Sequence, residues 1–346
     1  MRLGASAYQA HAPLAGPTFA AAAEAGTTLA FTSLHIPEDS PAGARAAAAA
    51  IVTSAASAGL SVVADVAPNP ARLLGCSAAR LLGCSAIHRR SSCGRSGGAR
   101  VRIDFRFSVA EIHSIASVLP IALNASTLRA ADLEQIHNFY PREWTGLALS
   151  SVVASVSVAR QFGSRVGAFI AGDSVRRGPL GEGLPTVEQH RNMPPLFQAL
   201  ALIDAGVDDA YVGGPALTDH SWSRPGSFVG EDLVLLDGTA APGVHPAVIE
   251  ALAVPDRNRR DAAVAMIRLE HSRERFAELP LPEVGGQPRP AWAVIVQLAS
   301  AGRYCAEVGI TLRNLRSDDR MAVLGSVPMQ GRAIHASSRN LALAML

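Results

Sequence analysis

The sequence contains no lysine, and all 31 of its basic residues are arginine. Aldolases that form a Schiff base, pyridoxal-phosphate enzymes and Walker-type phosphate loops each need a lysine amine. The absence therefore excludes these three classes. A phosphate or carboxylate group bound by this chain must be held by arginine, histidine or backbone N–H groups.

Excess charge of one sign, aromatic residues and long apolar runs are also scarce. The 31 basic and 29 acidic residues give a formal net charge of +2. Chains that mainly bind nucleic acid or anionic membranes carry a larger excess of basic residues. Aromatic residues make up 5% of the chain, and its most apolar segment, residues 46–63, is mostly alanine interrupted by serine and threonine. That segment is a poor membrane span. Because the start of the chain lacks a cationic region followed by an apolar stretch, we expect a cytoplasmic protein.

The four cysteines show no spacing suited to a zinc site. They are Cys76, Cys84, Cys93 and Cys305. We expect free thiols in a reducing compartment, and neither a metal nor another cofactor.

What the chain does contain is a regular alternation of two kinds of segment. Short runs of small and β-branched apolar residues alternate with longer alanine-rich stretches, which is typical of a parallel α/β fold. The predicted strands are Leu3–Tyr8, Leu29–Ser33, Ser61–Val66, Val101–Phe105, Ile121–Ser126, Ile136–Tyr140, Val166–Gly172 and Ala210–Gly214. The predicted helices are Leu14–Ala25, Pro41–Ala58, Val109–Ser117, Leu147–Phe162 and Thr186–Ala205. Eight strands in succession favour a TIM barrel.

A length of 346 residues allows a large and a small domain. We predict a TIM-barrel catalytic domain at 1–220, a linker at 221–243, a small β-rich C-terminal domain at 244–327 and a tail at 328–346. Within the second domain we expect a helical stretch over Asp256–Glu278 and strands over Ala291–Leu298 and Glu307–Leu312. The tail offers no evident partner for residues 340–346.

One segment of the predicted barrel does not fit the alternation. Residues 71–78, ARLLGCSA, recur at once as residues 79–86, and a mixture of cysteine, serine, glycine and arginine follows. We interpret 71–98 as an aberrant insert.

Polar residues stand at or near the ends of most predicted strands. They are Ser33, Asp65, Asp104, Asn124, His137, Asn138 and Asp173. In a barrel the carboxyl ends of all strands meet on one face, which carries the active site. Any one of these residues alone could equally cap a helix. Together they predict a site at the barrel mouth.

Two stretches concentrate the remaining polar groups. The stretch Gly172–Arg191 combines Arg177, several glycines, Glu182 and a predicted helix start at Thr186, a composition that suits a phosphate group. The structural alternative is a plain connection in which Thr186 caps the helix and the arginines face solvent. The stretch Ile136–Leu147 offers donors and stacking faces that suit a sugar ring. Its candidate residues are His137, Asn138, Tyr140 and Arg142.

Asp104 is the strongest candidate for a catalytic carboxylate. With Glu182 or Asp65 it could form the acid and base pair of a glycosidase. The structural alternative is an ordinary salt bridge from Asp104 to an arginine such as Arg102 or Arg106. A different hypothesis, a metal-dependent barrel lyase or isomerase, would use Asp65, Asp104 and His137 as ligands.

Several of these segments together resemble a known family. FTSLHIPED, VVADVAP, ARVRIDF, ALNAST, HNFYPREWTGL and RRGPLGEGLPTVEQHR are similar, in this order, to motifs of the MupG-type 6-phospho-N-acetylmuramidases. The run Gly302–Gly325 resembles the end of that family's small C-terminal domain, which has a cyclophilin-like β fold. The resemblance covers most of the chain.

The resemblance implies a cytoplasmic TIM-barrel glycosidase of peptidoglycan recycling. It would cleave the β-1,4 bond between N-acetylmuramic acid 6-phosphate and N-acetylglucosamine, with Asp104 and Glu182 as the catalytic residues. The candidate substrate-binding residues are Asp65, Asn124, His137, Asn138, Tyr140, Arg142, Arg177, His190 and Arg303. Since the insert precedes the strand carrying Asp104, a catalytically impaired sugar-phosphate-binding homologue is the alternative. A homodimer is a candidate assembly of the chain.

Overall fold

A computed structural model describes residues 1–34, 36, 41–66, 99–103, 107–117, 119–125, 133–261, 263–328 and 340–345. The chain divides into two compact units, residues 1–226 and residues 227–346. The predicted insert at 71–98 and the candidate Asp104 both lie outside the described residues.

The first unit is a closed barrel of eight parallel strands that neighbour one another in chain order. The strands are β1 (Arg2–Ser6), β2 (Leu29–Ser33), β3 (Ser61–Val66), β4 (Arg100–Ile103), β5 (Ile121–Asn124), β6 (Glu134–Ile136), β7 (Val166–Ile170) and β8 (Asp209–Val212). The last strand closes on the first, with Leu3 beside Ala210. The predicted TIM barrel is confirmed.

Helices alternate with these strands. They are α1 (Ala15–Glu24), α2 (Pro41–Ser57), α3 (Val109–Ala116), α4 (Leu149–Gln161), α5 (Pro195–Asp204) and α6 (Asp219–Glu231). Local sequence sets their ends: before α3, Ser108 and Glu111 exchange side-chain and backbone hydrogen bonds as a capping box. After α1, Gly26 takes a φ of 78°, a left-handed conformation that ends a helix at little steric cost.

An aromatic layer fills the barrel interior. The ring of Phe31 packs edge-on against Phe169 with centroids 4.9 Å apart, and Phe139 packs against Phe169 at 5.2 Å. The side chains of Tyr8 and Tyr211 are fully buried in the same cluster. Such edge-to-face pairs add to the apolar burial that holds the strands together.

The amino ends of the strands carry paired charges. Arg2 donates to the fully buried carboxylate of Asp209 at 2.6 Å, and Arg165 donates to the same group at 3.0 Å. Arg100 pairs with Glu134, whose pKa is raised by burial against the opposing effect of that arginine. Asp209 and Glu134 therefore each have a guanidinium partner.

The second unit contains one sheet of seven strands. They are β9 (Leu233–Ala240), β10 (Asp256–Arg257), β11 (Met266–Arg268), β12 (Ala293–Gln297), β13 (Val308–Thr311), β14 (Met321–Ser326) and β15 (Asn340–Met345), in the order β10-β15-β9-β14-β12-β13-β11. Two short helices, α7 (Pro246–Ala253) and α8 (Ser272–Phe276), accompany them. Strand β15 runs parallel to β9, whereas the other pairs are antiparallel. The predicted β-rich C-terminal unit is confirmed.

The structure differs from two expectations, the linker at 221–243 and the lack of a partner for residues 340–346. The segment holds most of helix α6 and the whole of strand β9, along which buried and half-buried residues alternate. Residues 340–345 form β15, which pairs with β9 from Asn340 to Met345 and buries Leu341 and Leu343. No local pattern announces this pairing because the two strands lie far apart in sequence.

The helix predicted over Asp256–Glu278 was also wrong, since the region forms β10, β11 and the short α8. Asp256 organises it: the buried carboxylate accepts hydrogen bonds from the backbone of Arg257 and His271. Arg268 on β11 pairs across strands with Glu307 at 3.1 Å. These long-range partners outweigh the helical propensity of a charged stretch.

Within the part of the chain that is described, no helix combines the length and apolar character needed to cross a bilayer.

Candidate functional site

The carboxyl ends of strands β3 to β6 are tied together by Arg102. This buried side chain donates from Nη1 to Asp65 Oδ1 at 2.7 Å and from Nη2 to Asn138 Oδ1 at 2.6 Å. The amide of Asn124 donates to the same oxygen of Asn138 at 3.1 Å. The structure thus brings three predicted site residues, Asp65, Asn124 and Asn138, into one network. Its centre, Arg102, was considered from sequence only as a possible salt-bridge partner of Asp104.

His137 follows strand β6 and is buried beside this network. The residue is 3% exposed, and neither ring nitrogen has a hydrogen-bond partner. Burial, with a smaller effect of the Arg102 charge, lowers the pKa of His137 to about 4. The imidazole is therefore neutral at pH 7, with one nitrogen able to donate and the other able to accept.

The two stretches that concentrate polar residues lie side by side at the mouth. The N–H of Tyr140 donates to the carbonyl of Pro185 at 3.0 Å, and Leu147 bridges to Val187. The predicted sugar-binding and phosphate-binding stretches are thus joined by backbone hydrogen bonds.

The helix predicted over Thr186–Ala205 is shorter than expected. A 3₁₀ turn spans Glu188–His190, and α5 begins at Pro195. Thr186 is not a helix cap, because its hydroxyl accepts from the N–H of Phe169 and donates to the carbonyl of Asn138, each at 2.8 Å. It fastens the loop to strand β7.

Glu188 and Arg191 clamp the loop after β6, a role that sequence analysis missed. The carboxylate of Glu188 accepts from the N–H groups of Trp144 at 3.0 Å and Gly146 at 2.8 Å. It also accepts from Arg191 at 2.6 Å, and this bond, with smaller contributions from the two N–H groups, lowers the pKa of Glu188 to about 2. The i,i+3 spacing of the pair was the available signal. His190, between them, is buried and its pKa is lowered by burial to about 4.

Arg177, in the loop after β7, is 8% exposed and lies against two aromatic rings. Its Cζ is 4.8 Å from the ring centroid of Tyr8 and 5.2 Å from that of Phe139. Its Nε and Nη1 are buried without a hydrogen-bond partner. Burial raises the pKa of Tyr8 to about 12, and its neutral hydroxyl donates to the carbonyl of Gly213 at 2.6 Å.

The remaining candidates occupy different surroundings. Glu182 is half-buried in the same loop as Arg177, and its carboxylate accepts from the N–H of Glu143 at 2.6 Å. Tyr140 is half-buried, whereas Arg142 is exposed and contributes its carbonyl to Arg191. Arg303 lies in the second unit, exposed, and donates to the hydroxyl of Tyr304 at 2.7 Å.

Of the three predicted metal ligands, Asp65 and His137 lie among the described residues. Asp65 is paired with Arg102, and among the described residues no three metal-ligating side chains converge. Asp104, the third member of the predicted set, lies outside those residues. Cys305 is a free, half-buried thiol, and the other three cysteines also lie outside them.

Comparison with known proteins covers both units. Residues 3–224 match the family model described as 6-phospho-N-acetylmuramidase, N-terminal, and residues 245–334 match the corresponding C-terminal model. No curated protein matches the chain.

Two solved structures of low sequence identity share the fold. A conserved protein of unknown function from Enterococcus faecalis is 22% identical, with a TM-score of 0.81 over 100% of this chain and 96% of that chain. An uncharacterized B. cereus protein is 21% identical, with a TM-score of 0.69 over 99% of each chain.

Proposed function

The chain belongs to the 6-phospho-N-acetylmuramidase family, and from this premise we propose that it hydrolyses the β-1,4 bond between N-acetylmuramic acid 6-phosphate and N-acetylglucosamine. The observation that carries the proposal is that family models match both the barrel and the second unit. The barrel mouth supports it, because a sugar needs neutral donors and acceptors beside charged groups. Lysine, which the chain lacks, has no required part in this chemistry.

In the proposed reaction Asp104 and Glu182 form the carboxyl pair. One protonates the glycosidic oxygen as it leaves. The other either attacks the anomeric carbon itself or activates a water molecule that attacks it. Asp104 is the residue after Ile103, the last residue of β4, in the sequence, and Glu182 lies in the loop after β7. Barrel enzymes carry their catalytic residues at the carboxyl ends of the strands.

We assign the remaining mouth residues to substrate binding. The network of Asp65, Arg102, Asn124 and Asn138 fixes acceptors and donors in place, so that little ordering is needed when a sugar binds. Neutral His137 can hydrogen-bond a hydroxyl or acetamido group. The further assignments within the barrel unit are Tyr140, Arg142 and His190. The reaction is proposed to take place in the cytoplasm, in peptidoglycan recycling.

The test is an assay of the purified full chain on the phosphorylated disaccharide and its unphosphorylated counterpart, following release of N-acetylglucosamine. We expect cleavage of the phosphorylated form. An absence of cleavage by folded protein would overturn the proposal and favour a binding protein. Loss of activity with a chelator, restored by a divalent ion, would favour the metal-dependent lyase or isomerase instead.

Substitutions at the two carboxyl groups test their assignment. Asp104→Asn and Glu182→Gln should each abolish turnover with an unchanged circular dichroism spectrum. Glutamine retains an acceptor oxygen for the N–H of Glu143, so the loop should keep its shape. The matched control is Glu143→Gln, which removes an exposed carboxylate next to the same contact and should leave turnover intact. Unchanged turnover in both catalytic variants would show that the pair is wrong.

A further inference from the structure

Arg177 differs from the other buried arginines. In the described chain four arginines are buried: Arg102, Arg177, Arg191 and Arg289. Three of them are held by protein oxygens, through Asp65 for Arg102, Glu188 for Arg191 and a backbone carbonyl for Arg289. For Arg177 the neighbours are two aromatic rings, and its Nε and Nη1 have no acceptor.

This arrangement is costly for the protein alone. A guanidinium keeps its charge at any physiological pH, and a buried charge without a partner destabilises the fold. Stacking on Tyr8 and Phe139 offsets part of that cost through cation–π attraction. The ring faces supply no lone pair in the guanidinium plane, however, so the N–H groups still require acceptor oxygens.

The position of Arg177 indicates which group supplies those oxygens. It lies in the loop after β7, and the hydroxyl of its neighbour Tyr8 is bonded to Gly213, directly after β8. In barrel enzymes the loops after the seventh and eighth strands frequently hold phosphate. A planar guanidinium with two neighbouring N–H edges matches two phosphate oxygens.

We propose that Arg177, stacked between Tyr8 and Phe139, holds the phosphate group of the sugar substrate and makes the enzyme selective for the phosphorylated disaccharide. The assignment rests on the proposed function. It distinguishes Arg177 from Arg142 and Arg303, which are exposed and whose bonds to phosphate would compete with water.

The first experiment measures stability without any turnover. Thermal unfolding is followed in increasing inorganic phosphate at constant ionic strength for the wild type, Arg177→Met and Arg176→Met. Arg176 is the matched control, because it is adjacent, exposed and bonded to Asn192. We expect phosphate to raise the Tm of the wild type and of Arg176→Met, and to leave that of Arg177→Met unchanged. A phosphate response shared equally by all three proteins, or absent from the wild type, would overturn the subsite.

Without phosphate, Arg177→Met should melt at or above the wild-type Tm, since an unpaired buried charge is replaced by an apolar chain of similar length. A purely structural arginine would give the opposite result, a clear fall in Tm, and would contradict the proposal. Arg177→Gln, which keeps polarity but not charge, provides a second folded variant for the kinetic measurement.

The second experiment compares kcat/KM for the phosphorylated and unphosphorylated disaccharides. In Arg177→Met and Arg177→Gln we expect the ratio of the two values to fall roughly 100-fold, as expected for loss of a charge-assisted pair. The unphosphorylated substrate keeps the lactyl carboxylate. An equal loss on both substrates would therefore assign Arg177 to that carboxylate and overturn the phosphate assignment.

The two experiments separate failure of this inference from failure of the proposed function. If the wild type cleaves the phosphorylated disaccharide and the Arg177 variants keep its selectivity, the function stands and the inference falls. If phosphate stabilises the wild type but not Arg177→Met, and no disaccharide is cleaved, a phosphate subsite stands and the glycosidase proposal falls.

Discussion

Two buried histidines should make the barrel unit sensitive to mild acid. Burial lowers the pKa of His137 and of His190 to about 4, whereas an unfolded histidine titrates near 6.5. The folded state therefore binds fewer protons than the unfolded state between these values. The resulting stability is present above pH 6.5 and is lost as the pH falls towards 4. Lowering the pH from 7 to 5 should remove about 2 kcal/mol for each histidine.

The assay is urea unfolding at pH 7 and pH 5 for the wild type and His137→Met, followed by tryptophan fluorescence, for which the buried Trp222 is a barrel reporter. At pH 7 the substitution should cost little, because neither ring nitrogen has a partner to lose. Between pH 7 and pH 5 the variant should lose about 2 kcal/mol less than the wild type, because one of the two titrating groups is gone.

The control is His220→Gln, which replaces an exposed histidine of the same unit and should retain the wild-type pH dependence. If His137→Met lost as much stability as the wild type between the two pH values, the imidazole would be taking up its proton in the folded protein. The burial argument for a neutral His137 at the barrel mouth would then be refuted.

Three further predictions concern the clamp and the charged end of the barrel. Glu188→Gln should destabilise the barrel by about 2 kcal/mol in urea titrations, because buried Arg191 loses its anion; a change below about 0.5 kcal/mol would contradict the clamp. Gly146→Ala should cost at least about 2 kcal/mol, since its Cβ would stand 2.7 Å from the Glu188 carboxylate and 2.8 Å from its backbone nitrogen, and wild-type unfolding would disprove the close approach. Asp209→Asn should cost roughly 3 kcal/mol or more by leaving Arg2 and Arg165 without their buried partner, and an unchanged midpoint would show that the pair adds nothing.

The barrel was predictable because its strands are short and apolar on both faces while its helices are rich in alanine. Strand β7 shows this, since all of Val166–Ile170 is buried. Strand β6 shows the limit: we predicted Ile136–Tyr140, but it spans Glu134–Ile136. The charged Glu134 is buried in the strand because Arg100 on another strand pairs with it. The residues after Ile136 include aromatic side chains typical of a strand, but they form a loop. In the second unit, β9 and β15 pair although most of the unit's sequence separates them. The sequence pattern within a short segment cannot indicate such a pairing.

The sequence predicted which end of the barrel carries the candidate site. It predicted the surroundings of individual side chains less well. Strand-end position was enough to bring Asp65, Asn124 and Asn138 together, because parallel strands in a barrel all end on one side. Arg176 and Arg177 are adjacent and identical in type, yet one is exposed and the other is buried. The difference arises from Tyr8 at the far end of the unit's sequence, so a tertiary contact decides it.

The paired charges at the amino ends of the strands differ from the unpaired guanidinium of Arg177 at the mouth, and this contrast is itself testable. At the amino ends of the strands, carboxylates and guanidinium groups are matched, as in Asp209 with Arg2. At the mouth, His137 and Arg177 are buried with polar atoms that the protein does not satisfy. Since unsatisfied buried groups cost free energy, the proposed phosphate subsite would account for the retention of Arg177 at this place. Asp209→Asn should therefore lower stability and leave the phosphate response intact, whereas Arg177→Met should abolish that response without lowering stability. If both variants changed both quantities together, the separation of stability and ligand binding between the two ends would be wrong.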